Sequence, residues 1–430
     1  MSDSSQPRPP QSTAPQPRSP QPRSLQPRPP QPRPPQSTAP QSTAPQSTAP
    51  QPRSPQSGAG QPAPTVVVIG GGYAGTSTAK ALDQFADVVL VEPKDDFVHN
   101  VASLRALADP SWLPRIYLPY SGLLARGRVI QDRAVKVDAG RVTLGSGEEL
   151  HADYIVLATG SGYPFPAKSD LDSTAAAHEK VRAAHEAVSR AARVLIAGAG
   201  PVGIELAGEI VAAWPGKQVT LLDAAGDILG EQFRPELKAE LRRQLADIGV
   251  RVLLASPLRH QPPADPGELR TFTVATTAGA EITADIWFRC YGVVPSSDYL
   301  AGELAAARLA DGFIEVNPYL QVTGQDRVFA LGDVASADRK MAGIAARQAQ
   351  LVAGNIRALI AGERAGLASY QRSEPSIIVP IGPEGGAGQR AGSEDLLPAE
   401  YVAQAKGRDM MVERFAELLG VSGRDGGTHE

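Results

Sequence analysis

TVVVIGGGYAGTSTAKALD, residues 65–83, decides the fold. Its opening run is apolar and β-branched without interruption, the pattern of a strand buried on both faces. Three glycines follow as G-x-G-x-x-G (Gly70, Gly72, Gly75), and the chain then reads as a helix. ADVVLVE, residues 86–92, is the next strand and ends on Glu92, 22 residues after Gly70. The first glycine permits a tight turn, the second lets backbone approach a pyrophosphate, and the third lets helix pack on strand. The helix start offers amide donors and partial positive charge to a phosphate. An acid at the place of Glu92 can bind ribose hydroxyls.

The same grammar returns in ARVLIAGAG, PVGIELAGEIVAAW and KQVTLLD. Gly198, Gly200 and Gly203 repeat the spacing, and Asp223 closes the next strand 25 residues after Gly198. Two such units on one chain point to two dinucleotides that exchange a hydride. One of them should be a tightly held flavin, which can pass electrons on singly or in pairs. YIVLATG (residues 154–160) and RVFALGDVA (residues 327–335) read as two further buried strands, one ending in Thr-Gly and the other in Gly-Asp. The expected fold is α/β, with two Rossmann-like dinucleotide-binding domains. Their order resembles that of two-dinucleotide-binding flavoproteins, which implies an FAD-binding domain in two parts, residues 65–170 and 295–365, holding an inserted NAD(P)H-binding domain, residues 171–294. A small C-terminal α+β region covers residues 366–430.

Residues 6–55 are pentapeptides of the QPRPP, QSTAP and QPRSP kind. They lack the apolar side chains that would offset ordering entropy, so residues 1–64 are expected to be a disordered tail of polyproline II character, with no partner identified by its sequence. This tail holds six Arg and one acid (Asp3), a net +5, which leaves −9 for the body against −4 for the whole chain. An acidic body offers no footprint for nucleic acid. No stretch has the apolar length of a membrane-spanning helix, and the N-terminus has no signal-peptide core. Peripheral membrane contact and a homodimer both stay open. Cys290 is the only cysteine, so no internal disulfide can form and no cysteine metal cluster or other metal site is expected; a reducing cytoplasm is the compartment it fits.

Taken with the doubled glycine fingerprint, the ATG and GD strand ends resemble the two-dinucleotide-binding flavoproteins of the pyridine-nucleotide oxidoreductase superfamily. DDFVHNVASLRAL, LATGSGYPFP, GAGPVGIELAGEI, FALGDVA and KMAGIAARQAQLVAGNI are similar to the apoptosis-inducing-factor-like branch that includes ferroptosis suppressor proteins and is related to type II NADH dehydrogenases. Members of that branch pass electrons from NAD(P)H through FAD to quinones. The resemblance implies FAD and NADH as cofactors, with NADPH open. It places Thr159, Gly160, Gly332 and Asp333 at the flavin, Asp333 on its ribityl chain or pyrophosphate, and Gly292 near the cofactors. It puts Glu205 beside the nicotinamide–flavin contact and Lys340 and Met341 close to the flavin ring, with Glu205 and Lys340 as the catalytic candidates. A cation at Lys340 would favour an anionic reduced ring.

Other assignments keep two readings. His99 and Asn100 serve either the flavin or the local hydrogen-bonding frame. Arg347 and Gln348 fall where type II NADH dehydrogenases carry a quinone motif, of which AARQAQ is a loose version. Met410, Met411, Phe415, Leu418 and Leu419 have helical spacing, for core packing or for a membrane surface. Cys290 reads as a small buried hydrophobe. With no cysteine pair, electrons must leave the flavin for a quinone, a ferredoxin-like carrier or another small acceptor. A redox-responsive binding protein with weak turnover is the reading from outside enzymology.

Overall fold

The computed structural model describes residues 63–421, so the expected tail lies outside the described residues but for its last two. Strand β1 (Thr65–Ile69) has Val66, Val67 and Val68 with no exposed surface. Burial of such side chains stabilises by roughly 1.5 kcal/mol or more each, so this run commits the centre of a sheet. Helix α1 (Tyr73–Leu82) follows the glycine turn, and β2 (Asp87–Val91) returns parallel to β1 in the register Thr65↔Asp87 to Ile69↔Val91. β3 (Arg128–Ile130) adds outside β2, and β4 (Tyr154–Leu157) lies on the other side of β1.

The chain then leaves this sheet. Helix α2 (Thr174–Arg190), capped by the Ser173 side chain, leads to β5 (Arg193–Ala197). Helix α3 (Pro201–Ala213), β6 (Gln218–Leu222), helix α4 (Pro235–Asp247), β7 (Arg251–Leu253) and β8 (Ile286–Arg289) complete a second parallel sheet in the order β7-β6-β5-β8. A hairpin of Phe272–Ala275 and Glu281–Ala284 covers one face of it, packing Phe272, Val274 and Ile282 on Leu195, Leu222 and Trp287. Only then does β9 (Val328–Ala330) pair with β4 and finish the first sheet as β9-β4-β1-β2-β3, all parallel. The second unit is thus inserted into the first. Its two chain crossings meet as a short antiparallel ladder, Ser161↔Pro295 and Gly162↔Val294.

Helix α5 (Ala342–Ile360) shares a core with α1, where Ala345, Ala349 and Val352 meet Ala74, Ala79 and Leu82. The C-terminal α+β region is an antiparallel sheet of β10 (Ile377–Ile381), β11 (Gly385–Gln389) and β12 (Leu396–Leu397), followed by short helices ending in α6 (Val412–Leu418). The glycine-rich GPEGGAGQR forms the turn and second strand of the β10–β11 hairpin, which is laid directly on α3. A Cβ on Gly208 of α3 would sit 2.5 Å from the Gly382 amide, so only glycine lets helix and hairpin touch.

DMMVERFAELLG is not one helix. Met410 and Met411 have positive φ, and α6 starts only at Val412. The reason is a tertiary contact. The Met410 carbonyl accepts from His99 Nε2 at 2.7 Å, which takes it away from a helical partner. Met410, Phe415 and Leu419 are buried and Met411 and Leu418 pack against the same cores, so core packing consumes this apolar stripe.

Candidate functional site

The two glycine turns are built alike, atom for atom. Gly70 and Gly198 take φ near +100°, at +101° and +110°, which places their amides on the carbonyls of Val91 and Leu222, both at 2.8 Å. The acid ending the next strand then folds back onto the turn. Glu92 Oε2 accepts from the Gly71 amide, and Asp223 Oδ2 from the Ala199 amide at 2.6 Å. The other carboxylate oxygen accepts from the amide two residues downstream, Lys94 for Glu92 at 3.0 Å and Ala225 for Asp223 at 2.8 Å.

Gly72 and Gly200 are the N-caps of α1 and α3, in extended conformations open to any residue, with no side-chain cap. A Cβ at either would meet nothing within 4 Å. Nothing among the described residues requires glycine there. What requires it is a group that must approach the backbone from outside, at a helix start whose first amides lack protein acceptors. Both turns therefore fit a dinucleotide pyrophosphate.

The Gly-Asp turn lies beside the first glycine turn, since a Cβ on Gly332 would come within 3.1 Å of the Ala74 side chain. Its amide donates to Gln348 Oε1 at 2.7 Å, and Gln348 is 1% exposed. That buried bond spends Gln348 on shaping the turn and leaves it no face for an acceptor. Arg347 points outward to the Tyr370 hydroxyl at 2.8 Å. Asp333 accepts from Ser161 Oγ and Lys168 Nζ. Thr159 Oγ1 donates to the Ser296 carbonyl at 2.6 Å and joins one chain crossing to the other, with Gly160 at φ +67° beside it. Met341 caps α5 and packs on the second core. Gly292, at φ +95°, sits in the exposed stretch Tyr291, Val293 and Val294 after β8.

Glu205 is not a surface acid. It is buried on α3 and its Oε1 accepts from Lys406 Nζ at 2.7 Å, both side chains almost inaccessible. One turn along α3, Glu209 is buried against Arg105, which also donates to the Gly407 carbonyl at 2.8 Å. Two acids of the inserted unit, an arginine of the first unit and a lysine of the C-terminal region make one neutral layer. Burial raises the Glu205 carboxyl above its usual range, with Lys406 opposing and Glu209 adding to the shift.

Lys340 folds back onto its own loop, donating to the carbonyls of Ala335 and Asp338 at 2.7 and 2.8 Å over the Phe313 ring. Burial lowers its pKa. Among the described residues no hydrogen bond or ion pair joins it to Glu205. His99 has no exposed surface. Burial pulls it down to about 4, so it is neutral: Nε2 donates to Met410 and Nδ1 accepts from the Tyr73 hydroxyl, which accepts in turn from the Val101 amide. Asn100 opens the short helical turn beside it. Cys290 is 4% exposed under the second glycine turn, with burial pushing its thiol up to about 12. A thiol held that far above neutrality is neither nucleophile nor electron acceptor.

A family model described as pyridine nucleotide-disulphide oxidoreductase matches residues 64–352. The chain is 31% identical over 364 residues to the ferroptosis suppressor protein 1 of Taeniopygia guttata, covering 83% of this chain and 95% of that protein. It is 28% identical over 375 residues to apoptosis-inducing factor homolog B of Dictyostelium discoideum, covering 82% and 96%. Among solved structures, the sulfide:quinone oxidoreductase of Aquifex aeolicus matches with a TM-score of 0.65 at 17% identity, over 84% of this chain and 93% of that one. The water-forming NADH oxidase of Lactobacillus brevis matches with a TM-score of 0.54 at 22% identity, over 68% and 69%. At these identities the structural likeness is one of fold.

Proposed function

We propose, from the premise that this chain belongs to the pyridine nucleotide-disulphide oxidoreductase family, that it passes electrons from NADH to a quinone and not to a disulfide. The chain is an FAD-dependent NAD(P)H oxidoreductase. A bound flavin supplies the step that accepts an electron pair from reduced nicotinamide and releases it to an acceptor. The observation that carries the finer reading is Cys290: it is the only cysteine of the sequence, and it is buried. A disulfide reductase needs a thiol pair beside its flavin, so the acceptor must be a group brought from outside. The likeness to ferroptosis suppressor proteins, the branch whose resemblance implies quinone reduction, supports a quinone.

In this reading Gly70, Gly72, Gly75 and Glu92 hold the adenosine and pyrophosphate of FAD, with Asp333 and the Thr159–Gly160 turn beside them. Gly198, Gly200, Gly203 and Asp223 hold NADH, with Gly292 at the end of that site. Lys406 opposes the upward shift that burial imposes on Glu205 and orients it next to the second turn. Lys340, with two of its three protons on carbonyls, keeps one donor for the flavin edge. Among the described residues no helix is long and apolar enough to cross a membrane, so a lipid quinone would be met at a surface.

The test is steady-state NADH oxidation by flavin-loaded protein against short-chain quinones, a ferredoxin-like carrier and oxygen. The expected result is the highest kcat/KM with a quinone. Turnover with the carrier protein alone, or with oxygen alone, would reject the quinone assignment.

A further inference from the structure

The segment that leaves the first sheet for the second is tied down across the flavin side of the molecule. At one end Lys168 Nζ donates to Asp333 Oδ2 at 3.0 Å, to Ser161 Oγ at 3.0 Å and to the Ser161 carbonyl at 2.9 Å. Ser161 Oγ donates to the same Asp333 oxygen at 2.8 Å. At the other end Lys94, two residues past Glu92, donates to the carbonyls of Ser169 and Leu171 at 3.1 and 2.6 Å. The next residues are held as firmly. Arg133 makes two bonds to Asp172, and Asp95 and Asp96 accept from Thr174. Residues 161–171 therefore form a strap held to Asp333 through Ser161 and Lys168 and, at its far end, to the side chain of Lys94, whose amide donates to Glu92.

Resting on that placement of FAD at the first turn, we propose that Lys168 is a flavin-holding residue, which neutralises Asp333 so that a carboxylate and a pyrophosphate can share one site. The charge balance requires such a group. The pyrophosphate brings negative charge to a turn that already carries Glu92 and Asp333. A carboxylate can accept hydrogen bonds from a sugar-like polyol, but it repels a phosphate unless a cation sits on it. Lys340 is within electrostatic reach of Asp333 but has its bonds on Ala335 and Asp338. Lys168 is the cation that Asp333 bonds directly. Its donors reach both the strap and the acid, so the cofactor and the strap that borders it are stabilised together. Their side chains are 28% and 22% exposed, which lets water screen the pair and sets the expected effect near tenfold.

The experiment is reconstitution of flavin-stripped full-length protein with FAD, followed by flavin fluorescence, in wild type, Lys168→Met, Lys168→Arg, Asp333→Asn and the double variant Lys168→Met/Asp333→Asn. Lys168→Met should weaken FAD by about tenfold, and Lys168→Arg should stay within about threefold, because charge and reach are kept. The double variant should bind FAD better than Lys168→Met, because the unpaired carboxylate is gone. Thermal melts of each apoprotein separate a clamp from a cofactor contact. An unchanged FAD affinity in Lys168→Met overturns the proposal. So does a loss that matches a lowered apoprotein melt and is not relieved by Asp333→Asn. If Lys168→Met does not fold, Lys168→Gln with and without Asp333→Asn reads the same coupling. Gly72→Val separates the premise: FAD retained there removes the placement, whereas FAD lost there but kept in Lys168→Met removes only the role of Lys168.

Discussion

The two nucleotide units share one construction and differ in how they are closed. In both, a positive-φ glycine bonds back to the strand end and an acid accepts from the turn amide. Around the first turn, Glu92 is 8% exposed, α5 packs against α1, and the strap of residues 161–171 runs alongside. Around the second, Asp223 is half-buried, Ala224, Ala225 and Gly226 are exposed, and Tyr291, Val293 and Val294 leave apolar surface open. Burial raises the Glu92 carboxyl, so its charge is sustained by the Gly71 and Lys94 amides and by the Lys94 ammonium. An enclosed site holds a resident and an open one exchanges its ligand. In the proposed reading the same local sequence grammar serves a cofactor in one place and a substrate in the other, and the difference comes from what is packed around it.

The largest effect that can break this contrast is a side chain in each cradle. Gly72→Val and Gly200→Val both have room and acceptable backbone, so both proteins should fold. Each fills the space a pyrophosphate needs. At about 3 kcal/mol that is on the order of a hundredfold in affinity. Gly72→Val should purify colourless and fail to take up FAD. Gly200→Val should stay yellow and raise the KM for NADH by a similar factor. Flavin lost from Gly200→Val and kept in Gly72→Val would reverse the two assignments.

Next comes the layer between the units. Glu205→Gln should keep FAD and slow anaerobic bleaching by NADH by tenfold or more, on the order of the effect of one positioned charge. Lys406→Met should raise the Glu205 carboxyl further, since the opposing charge is gone, and so move the acid limb of the bleaching rate to higher pH. A pH profile identical to wild type in Lys406→Met would detach Lys406 from the reaction.

These residues also mark how far the sequence could be read. The glycine turns, their acids and the strands on either side of them were legible, because a phosphate cradle is assembled from neighbours in the chain. The layer was not, because its partners meet only through tertiary folding. Glu205 and Lys406 are 201 residues apart, Arg105 and Glu209 104, Lys168 and Asp333 165. Glu205 was placed by its motif, but its partner sits in a C-terminal region with no motif to give it away. Gln348 kept two readings because its helix matched a quinone motif only loosely, and the bond from the Gly332 amide shows what it does in this fold. The glycines of residues 382–390 carried a usable signal: so many in one stretch demand a close backbone approach, although the sequence could not say that α3 was what approached.

A smaller effect sharpens the open half of the comparison. Asp223 has both oxygens on turn amides, but each oxygen keeps a lone pair for a ribose hydroxyl. A 2′-phosphate there would meet like charge, and the first basic residue downstream is Arg234. In a buried site the cost would be a few kcal/mol; the exposed residues after Asp223 allow screening, so about tenfold in favour of NADH is expected. Asp223→Ala should move the NADH/NADPH ratio of kcat/KM toward NADPH. A ratio that does not move places Asp223 away from the ribose.

The last effect belongs to the closed half and is absent at neutral pH. His99 joins α1 to the C-terminal segment through Tyr73 and the Met410 carbonyl, and the second unit has no such histidine at its turn. Burial depresses its pKa from 6.5 to about 4. A neutral native imidazole and a protonated unfolded one mean that the unfolded chain binds more protons between those values. Stability from this group is therefore full above about pH 6.5 and falls as pH drops toward 4, by up to about 1.4 kcal/mol per pH unit. His99→Gln can still donate to Met410, and it cannot take up that proton. Its denaturant midpoint at pH 7 should lie somewhat below wild type, because packing against Phe415 is lost. Its decline between pH 6.5 and 5 should be shallower than wild type, with flavin release following the same curve. Parallel acid limbs in the two proteins would show that protonation elsewhere opens the first unit, and that His99 is a packing residue alone.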